Sequence, residues 1–208
     1  VVKPSKSSLQ PVTVRTRRAY FDCKFGQLHV RTAFPTTGGF DELVTLFCLH
    51  ASADSSRHFA RFLSEMADVR SVYAPDLPGC GESDASPESS VAEAASAVSD
   101  LADGLRLRQI DALGVQLGAR VAMELAVARP ELVRRLVLVG VPTTEPLPMV
   151  KQPALVLRTR IDQAEGLPKA RAALPNGRFM DLADYAHDLF LVAPKTLAPQ
   201  VSGYLSGT

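Results

Sequence analysis

Residues 110–119 read Ile-Asp-Ala-Leu-Gly-Val-Gln-Leu-Gly-Ala, and no other stretch of the chain restricts its fold so tightly. An apolar, strand-like run ends in a Gly-x-Gln-x-Gly-Ala turn, and the helix-forming residues 117–129 follow without a spacer. Gly114, Gly118 and Ala119 are small where a strand and a helix must pack closely around a sharp turn. A strand that delivers the chain directly into a helix belongs to an α/β sheet rather than to a sandwich or a bundle. The residue left at the tip of that turn is Gln116.

The rest of the chain agrees with such a sheet. Residues 17–34 alternate with a period near two around Phe25-Gly26, which predicts an antiparallel hairpin closed by Pro35 to Gly39. The short continuous apolar run at 43–49 predicts a strand buried on both faces, and further strands are expected at 70–74, 110–115, 135–140 and 154–158. A further strand is expected at 178–182. Helical patterns fall between the strands, at 55–68, 88–105, 117–129, near 167–174 and near 194–205. The expected fold is α/β: a mostly parallel central sheet with an antiparallel N-terminal hairpin and helices on both faces. Residues 1–12 are polar and carry two prolines, so they read as a flexible arm, and 13–208 read as a single domain.

Charge and cysteine content narrow the partners. Lys and Arg total 23 against 22 for Asp and Glu, and outside Arg15, Arg17 and Arg18 the charges are mixed. No basic footprint for nucleic acid or an anionic membrane is present, which leaves a small molecule or a protein as the partner. Cys23, Cys48 and Cys80 form neither a Cys-x-x-Cys pair nor an even disulfide framework, and suit a reducing compartment. With no hydrophobic signal core at the start and no run of membrane-spanning length, the expected location is the cytoplasm. No cluster has metal-ligand spacing, and no cofactor is expected.

Four segments in order resemble the α/β-hydrolase superfamily, and the resemblance covers nearly everything after residue 17. Leu49-His50-Ala51-Ser52 stands where that family has a strand followed by His-Gly-x. Asp76-Leu-Pro-Gly-Cys-Gly-Glu-Ser-Asp84 is similar to its Asp-x-Pro-Gly-x-Gly-x-Ser loop. The turn at Gln116 has the frame of its nucleophile elbow, Gly-x-Ser-x-Gly. The segments Ala154 to Asp162, Leu174-Pro-Asn176 and Ala186-His187 resemble those that carry its acid and histidine. Carried over, the resemblance implies a triad that reads Gln116, Asp162 and His187, with backbone donors for an oxyanion at Ser52 and Leu117.

The chain departs from that pattern in three places. An uncharged amide at Gln116 is no usable nucleophile. Ala51 replaces a glycine that can adopt backbone angles an alanine resists, so the oxyanion hole is expected to be misshapen. Many members carry a helical lid between the sixth and seventh strands, but here residues 143–153, with three prolines, join Pro142 to Ala154. No helical cap is expected, and the cleft should be open to solvent.

His187 is the strongest functional candidate among the four histidines. For Asp162 two readings stay open: the orienting carboxylate for His187, or a turn residue paired with Arg158 or Arg160. His50 is expected to stabilise the loop after its strand, and His29 and His58 to be structural or solvent-facing. Cys80 lies in a loop near the cleft rim without an activating neighbour in sequence. These residues support three functions. One is a hydrolase of a small ester-like or carbonyl substrate that uses His187 and Asp162 as a general base without a covalent intermediate. The second is a ligand-binding module. The third is an interaction module whose cleft rim meets a partner or a second copy of the chain.

Overall fold

The structure is a computed structural model and describes residues 16–35, 43–141, 147–162 and 164–207. The arm expected at 1–12 and most of the turn expected at 35–39 lie outside the described residues. The opening alternation forms β1 (Arg17–Cys23) and β2 (Gly26–Ala33), paired antiparallel with Cys23 opposite Gly26. The apolar runs form β3 (Thr45–Leu49), β4 (Val72–Pro75), β5 (Ile110–Val115), β6 (Val133–Val139), β7 (Ala154–Thr159) and β8 (Gly177–Leu182). All eight lie in one sheet, in the order β1-β2-β4-β3-β5-β6-β7-β8. β2 is antiparallel to both β1 and β4, and every later pair is parallel, so β2 alone runs against the rest.

The helices are α1 (Ala60–Met66), α2 (Val91–Gly104), α3 (Leu117–Ala128), α4 (Leu167–Ala173), α5 (Leu189–Val192) and α6 (Pro194–Ser206). The helix expected over 55–68 is divided: Ser55 caps a 3-10 turn at Ser56–Phe59, and only then does α1 begin. α2 starts later than its Ala-rich composition suggests because Ser90 and Glu93 form a reciprocal capping box that sets its first turn.

Because successive strand residues face opposite sides, each continuous apolar strand feeds two cores. Phe47, Leu49, Ile110, Ala112, Leu136 and Leu138 pack with α2 and α3 on one side. Leu46, Cys48, Leu113, Val115, Val137 and Val139 pack with α1, α5 and α6 on the other. At the amino ends of the strands the fully buried Asp111 accepts hydrogen bonds from Arg70 at 3.0 Å and from Arg134 at 2.9 and 2.6 Å. Arg134 also donates to Leu205 O at 2.8 Å, which ties the end of α6 to the sheet.

The strand order reverses direction between β3 and β5: the chain goes from β3 outward to β4, then returns to the other side of β3. In an open α/β sheet the carboxyl ends flanking such a reversal frame the ligand crevice. Here those ends carry His50-Ala51-Ser52 and Gln116.

Candidate active site

Gln116 sits between β5 and α3 with φ 49° and ψ −107°, a conformation that residues with a Cβ avoid. Its backbone holds it there: its N–H donates to Val139 O at 2.8 Å, and its carbonyl accepts from Ala119 N at 3.0 Å. The small flanking residues are required by the close approach. A Cβ on Gly114 would lie 2.3 Å from Gly118 O, and one on Gly118 would lie 2.0 Å from Leu49 O. The turn thus lifts the Gln116 side chain above the carboxyl edge of the sheet while its neighbours are packed away.

Three more strand ends complete the site. Asp162 follows β7. Its Oδ2 accepts from the backbone N–H of Thr159 at 2.6 Å and from the Thr159 hydroxyl at 3.2 Å, which fixes the carboxylate. Its Oδ1 lies 2.8 Å from Nε2 of His187, in the segment after β8. The other ring nitrogen of His187, Nδ1, lies 2.7 Å from Nε2 of Gln116. An amide nitrogen only donates, so Nδ1 is the acceptor and the proton on the imidazole sits on Nε2, directed at Asp162. Burial pushes the Asp162 carboxyl up, but the hydrogen bonds from His187 and Thr159 outweigh it and hold the group below its usual range. The structure therefore brings Gln116, His187 and Asp162 together, and Asp162 pairs with His187 whereas Arg158 pairs with Asp181 at 2.7 Å.

The fourth strand end is Gly140, after β6, at φ 60°. A Cβ there would lie 2.5 Å from Nε2 of His187 and 2.6 Å from Cε1, so the ring occupies space that any side chain would fill. Neither Gly140 nor Thr159 was expected from the sequence. A glycine directly after the apolar run 135–139 was the available signal for Gly140.

The remaining candidates separate into loop supports and cleft groups. His50 is completely buried, with Nδ1 2.7 Å from Ala51 O and Nε2 accepting from Leu77 N at 2.9 Å. Burial holds its pKa down, in keeping with a neutral ring that uses one nitrogen as donor and the other as acceptor. It joins the loop after β3 to the Asp76–Asp84 loop. Ala51 is not among the residues with positive φ. That conformation falls instead on Ala53, at 57°. Ser52 is exposed, and Leu117 opens α3, where the first amides have no partner within the helix.

His29 and His58 are both buried, paired with Asp76 at 2.9 Å and with Asp54 at 2.8 Å, and neither is solvent-facing. Burial raises the Cys80 thiol, and the nearby charges of Asp76 and Asp54 add to that, so Cys80 is not an activated thiolate. Among the described residues no three His, Cys, Asp or Glu side chains gather as metal ligands, and no helix is long and apolar enough to cross a membrane.

A sheet of this order, with an elbow after its fifth strand and an acid and a histidine after its seventh and eighth, defines an α/β-hydrolase fold. The model of the alpha/beta hydrolase family matches residues 46–208, and the chain belongs to that family. Uncharacterized proteins of Mycobacterium tuberculosis and Mycobacterium bovis are 36% identical over 96 residues, a match that covers 46% of this chain and 28% of theirs. Among solved structures, the 2-hydroxy-6-oxo-6-phenylhexa-2,4-dienoate hydrolase of Rhodococcus sp. strain RHA1 superposes with a TM-score of 0.82 at 15% identity, covering 94% of this chain and 100% of that one. The carboxylesterase CesB of Bacillus subtilis gives 0.79 at 17% identity, covering 94% and 93%. At such identities the likeness is one of fold.

Proposed function

We propose that the chain hydrolyses a small ester-like or carbonyl substrate with His187 and Asp162 as a general-base pair and without a covalent enzyme intermediate. One observation supports this most: His187 bridges Asp162 and Gln116, at 2.8 and 2.7 Å, above the carboxyl edge of the sheet. The proton-bearing Nε2 faces the carboxylate, and the basic Nδ1 faces the position that a nucleophile occupies elsewhere in the fold.

In the proposed step, water displaces the Gln116 amide from Nδ1 and gives its proton to that nitrogen as its oxygen attacks the carbonyl carbon. Asp162 stabilises the imidazolium that forms. The backbone N–H groups of Ser52 and Leu117 receive the developing oxyanion. The tetrahedral intermediate then expels its alkoxide, which takes the proton back from Nδ1. Gln116, released from the ring, hydrogen-bonds the substrate. The connection between β6 and β7 supplies no helical cap in this reading. Its described parts, 140–141 and 147–153, are not helical, and residues 142–146 lie outside the described residues. The free thiols of Cys23, Cys48 and Cys80 support a reducing, cytoplasmic setting.

A second reading rests on the same contact. The N–H of Gln116 already occupies Nδ1, the nitrogen a base must use, so the cleft can instead hold a ligand without turnover. Hydrolysis of a short-chain activated ester separates the two. Under the first reading the parent turns the ester over and His187→Ala abolishes this. A silent parent whose Gln116→Ser variant gains a His187-dependent activity overturns the first reading in favour of the second.

A further inference from the structure

On the side of the opening hairpin that meets α1, two arginines stand directly opposite each other. β1 and β2 pair Arg18 with Arg31, which sets their β-carbons about 5 Å apart on one face of the sheet. The face follows from their neighbours in β2. Leu28 and Val30 pack into the core of α2 and α3, whereas Arg31 falls in the alternate set with Ala33, which packs into the core of α1. Like charges directly across a ladder repel. Charge on an edge strand guards against pairing with another chain, which accounts for Arg18 on β1. It does not account for Arg31, because β2 lies inside the sheet between β1 and β4.

No carboxylate among the described residues forms an ion pair with Arg18 or Arg31. Asp76 and Glu82, on the same side, are engaged elsewhere. Asp76 lies 2.9 Å from Nδ1 of His29 and accepts from the backbone of Ser56 and Glu82, and Glu82 accepts from the Tyr20 hydroxyl at 2.8 Å. Arg31 is half-buried with its Nε closed off and unpartnered, so its stem is held and its terminal nitrogens are the part that meets solvent. Arg18 is exposed. A third exposed cation, Arg57, follows Ser56 in the 3-10 turn that Asp76 fastens to His29. Burial lowers the pKa of Arg31, and the charges of Arg18 and then Arg57 lower it further, so an anion brought to this guanidinium is favoured. Two guanidinium groups side by side offer paired N–H forks to a tetrahedral dianion, whereas a monocarboxylate neutralises only one of them.

We propose that Arg18 and Arg31 together bind the dianionic phosphate of a small phosphomonoester, with the charge of Arg57 reinforcing the pair. The site is independent of the reaction proposed above.

Titration of the full chain with glycerol phosphate at about pH 8, where the ligand is a dianion, tests it. Binding is followed by calorimetry and by amide shifts in NMR, with sodium chloride holding the ionic strength constant. Saturable binding is expected, weakened about tenfold or more by Arg31→Gln and by Arg18→Gln, as a charge-assisted fork is lost in each. Arg17→Gln removes the same charge from the next residue, whose side chain faces the other side of the sheet, and should change the affinity by less than about twofold. Acetate should bind at least about tenfold more weakly than glycerol phosphate, and inorganic phosphate no more tightly. Should Arg31→Gln fail to fold, Arg18→Gln, at an exposed side chain on the edge strand, still decides. Absence of saturation in the millimolar range overturns the proposal, as does unchanged affinity in Arg18→Gln. An equal loss in Arg17→Gln overturns it too, since net charge alone would then hold the anion. Tighter binding of inorganic phosphate than of glycerol phosphate, by about tenfold, would overturn it in favour of a site for the free anion.

Discussion

Gln116 holds a backbone conformation that disfavours any side chain, and it does so to place one amide against one ring nitrogen. Strain of this kind costs on the order of 1–3 kcal/mol. Gln116→Gly should therefore raise the unfolding free energy by about 1 kcal/mol while freeing Nδ1 of His187. Chemical denaturation reads the first effect, and the nitrogen shifts of the His187 ring read the second. Gly140 offers the converse test. Gly140→Ala puts a methyl group 2.5 Å from Nε2 and asks an alanine to adopt φ 60°, so the ring must leave Asp162. A loss of about 1–2 kcal/mol in stability is expected, together with the disappearance of the hydrogen-bonded Nε2 proton from the NMR spectrum. A proton signal that survives in Gly140→Ala would show that the ring does not depend on that space. Gln116, Asp162 and His187 were legible as candidates because each stands at a fixed place in a motif. Gly140 was not, because its requirement comes from a side chain 47 residues away.

At the scale of elements, the strands announced themselves and their joints did not. β3, β5, β6 and β7 are buried on both faces over most of their length, so each reads as a short, largely apolar run. α5 has four residues, too few for a 3.6-residue period to show, and it was missed. β1 and β2 were visible as an alternating pair, but the pairing of β2 with β4 was not, since it depends on the Asp76–Asp84 loop folding back over β2. There Asp76 N donates to His29 O at 2.8 Å, and Asp84 Oδ2 accepts from Gln27 N at 2.8 Å. Asp111 lies within an apolar strand and nothing in the sequence marks its role, yet it accepts hydrogen bonds from Arg70 and Arg134, and Arg134 reaches the end of α6. Asp111→Asn leaves the fully buried Arg70 without a counter-charge and should cost about 3–5 kcal/mol. A shift in the denaturation midpoint corresponding to under about 1 kcal/mol would mean that Arg70 finds another way to be solvated.

For the whole molecule, His50 makes stability depend on pH. Its folded pKa is lowered from about 6.5, so the contribution of the neutral ring is complete above that value and is lost as pH falls. Protonation would remove the lone pair that accepts from Leu77 N and loosen the joint between the two loops it connects. The unfolding free energy should decline from roughly pH 6.5 downward, and His50→Gln should flatten that decline. An unchanged slope in the variant would assign the acid sensitivity to other groups.

The two cores on either side of the sheet are assembled from different parts of the chain. The side holding α2 and α3 draws its buried residues from Leu28 to Leu174 and none from the last thirty positions. The side holding α1, α5 and α6 needs residues near 60 and residues near 200 together. As the protein emerges from a ribosome, the first side can close while the second stays bare until the last helix is out. Val115, Val137 and Val139 then form part of an open, sticky surface for most of synthesis. A chain stopped before Pro194 should be captured by chaperones or precipitate, even though every strand of its sheet has been made.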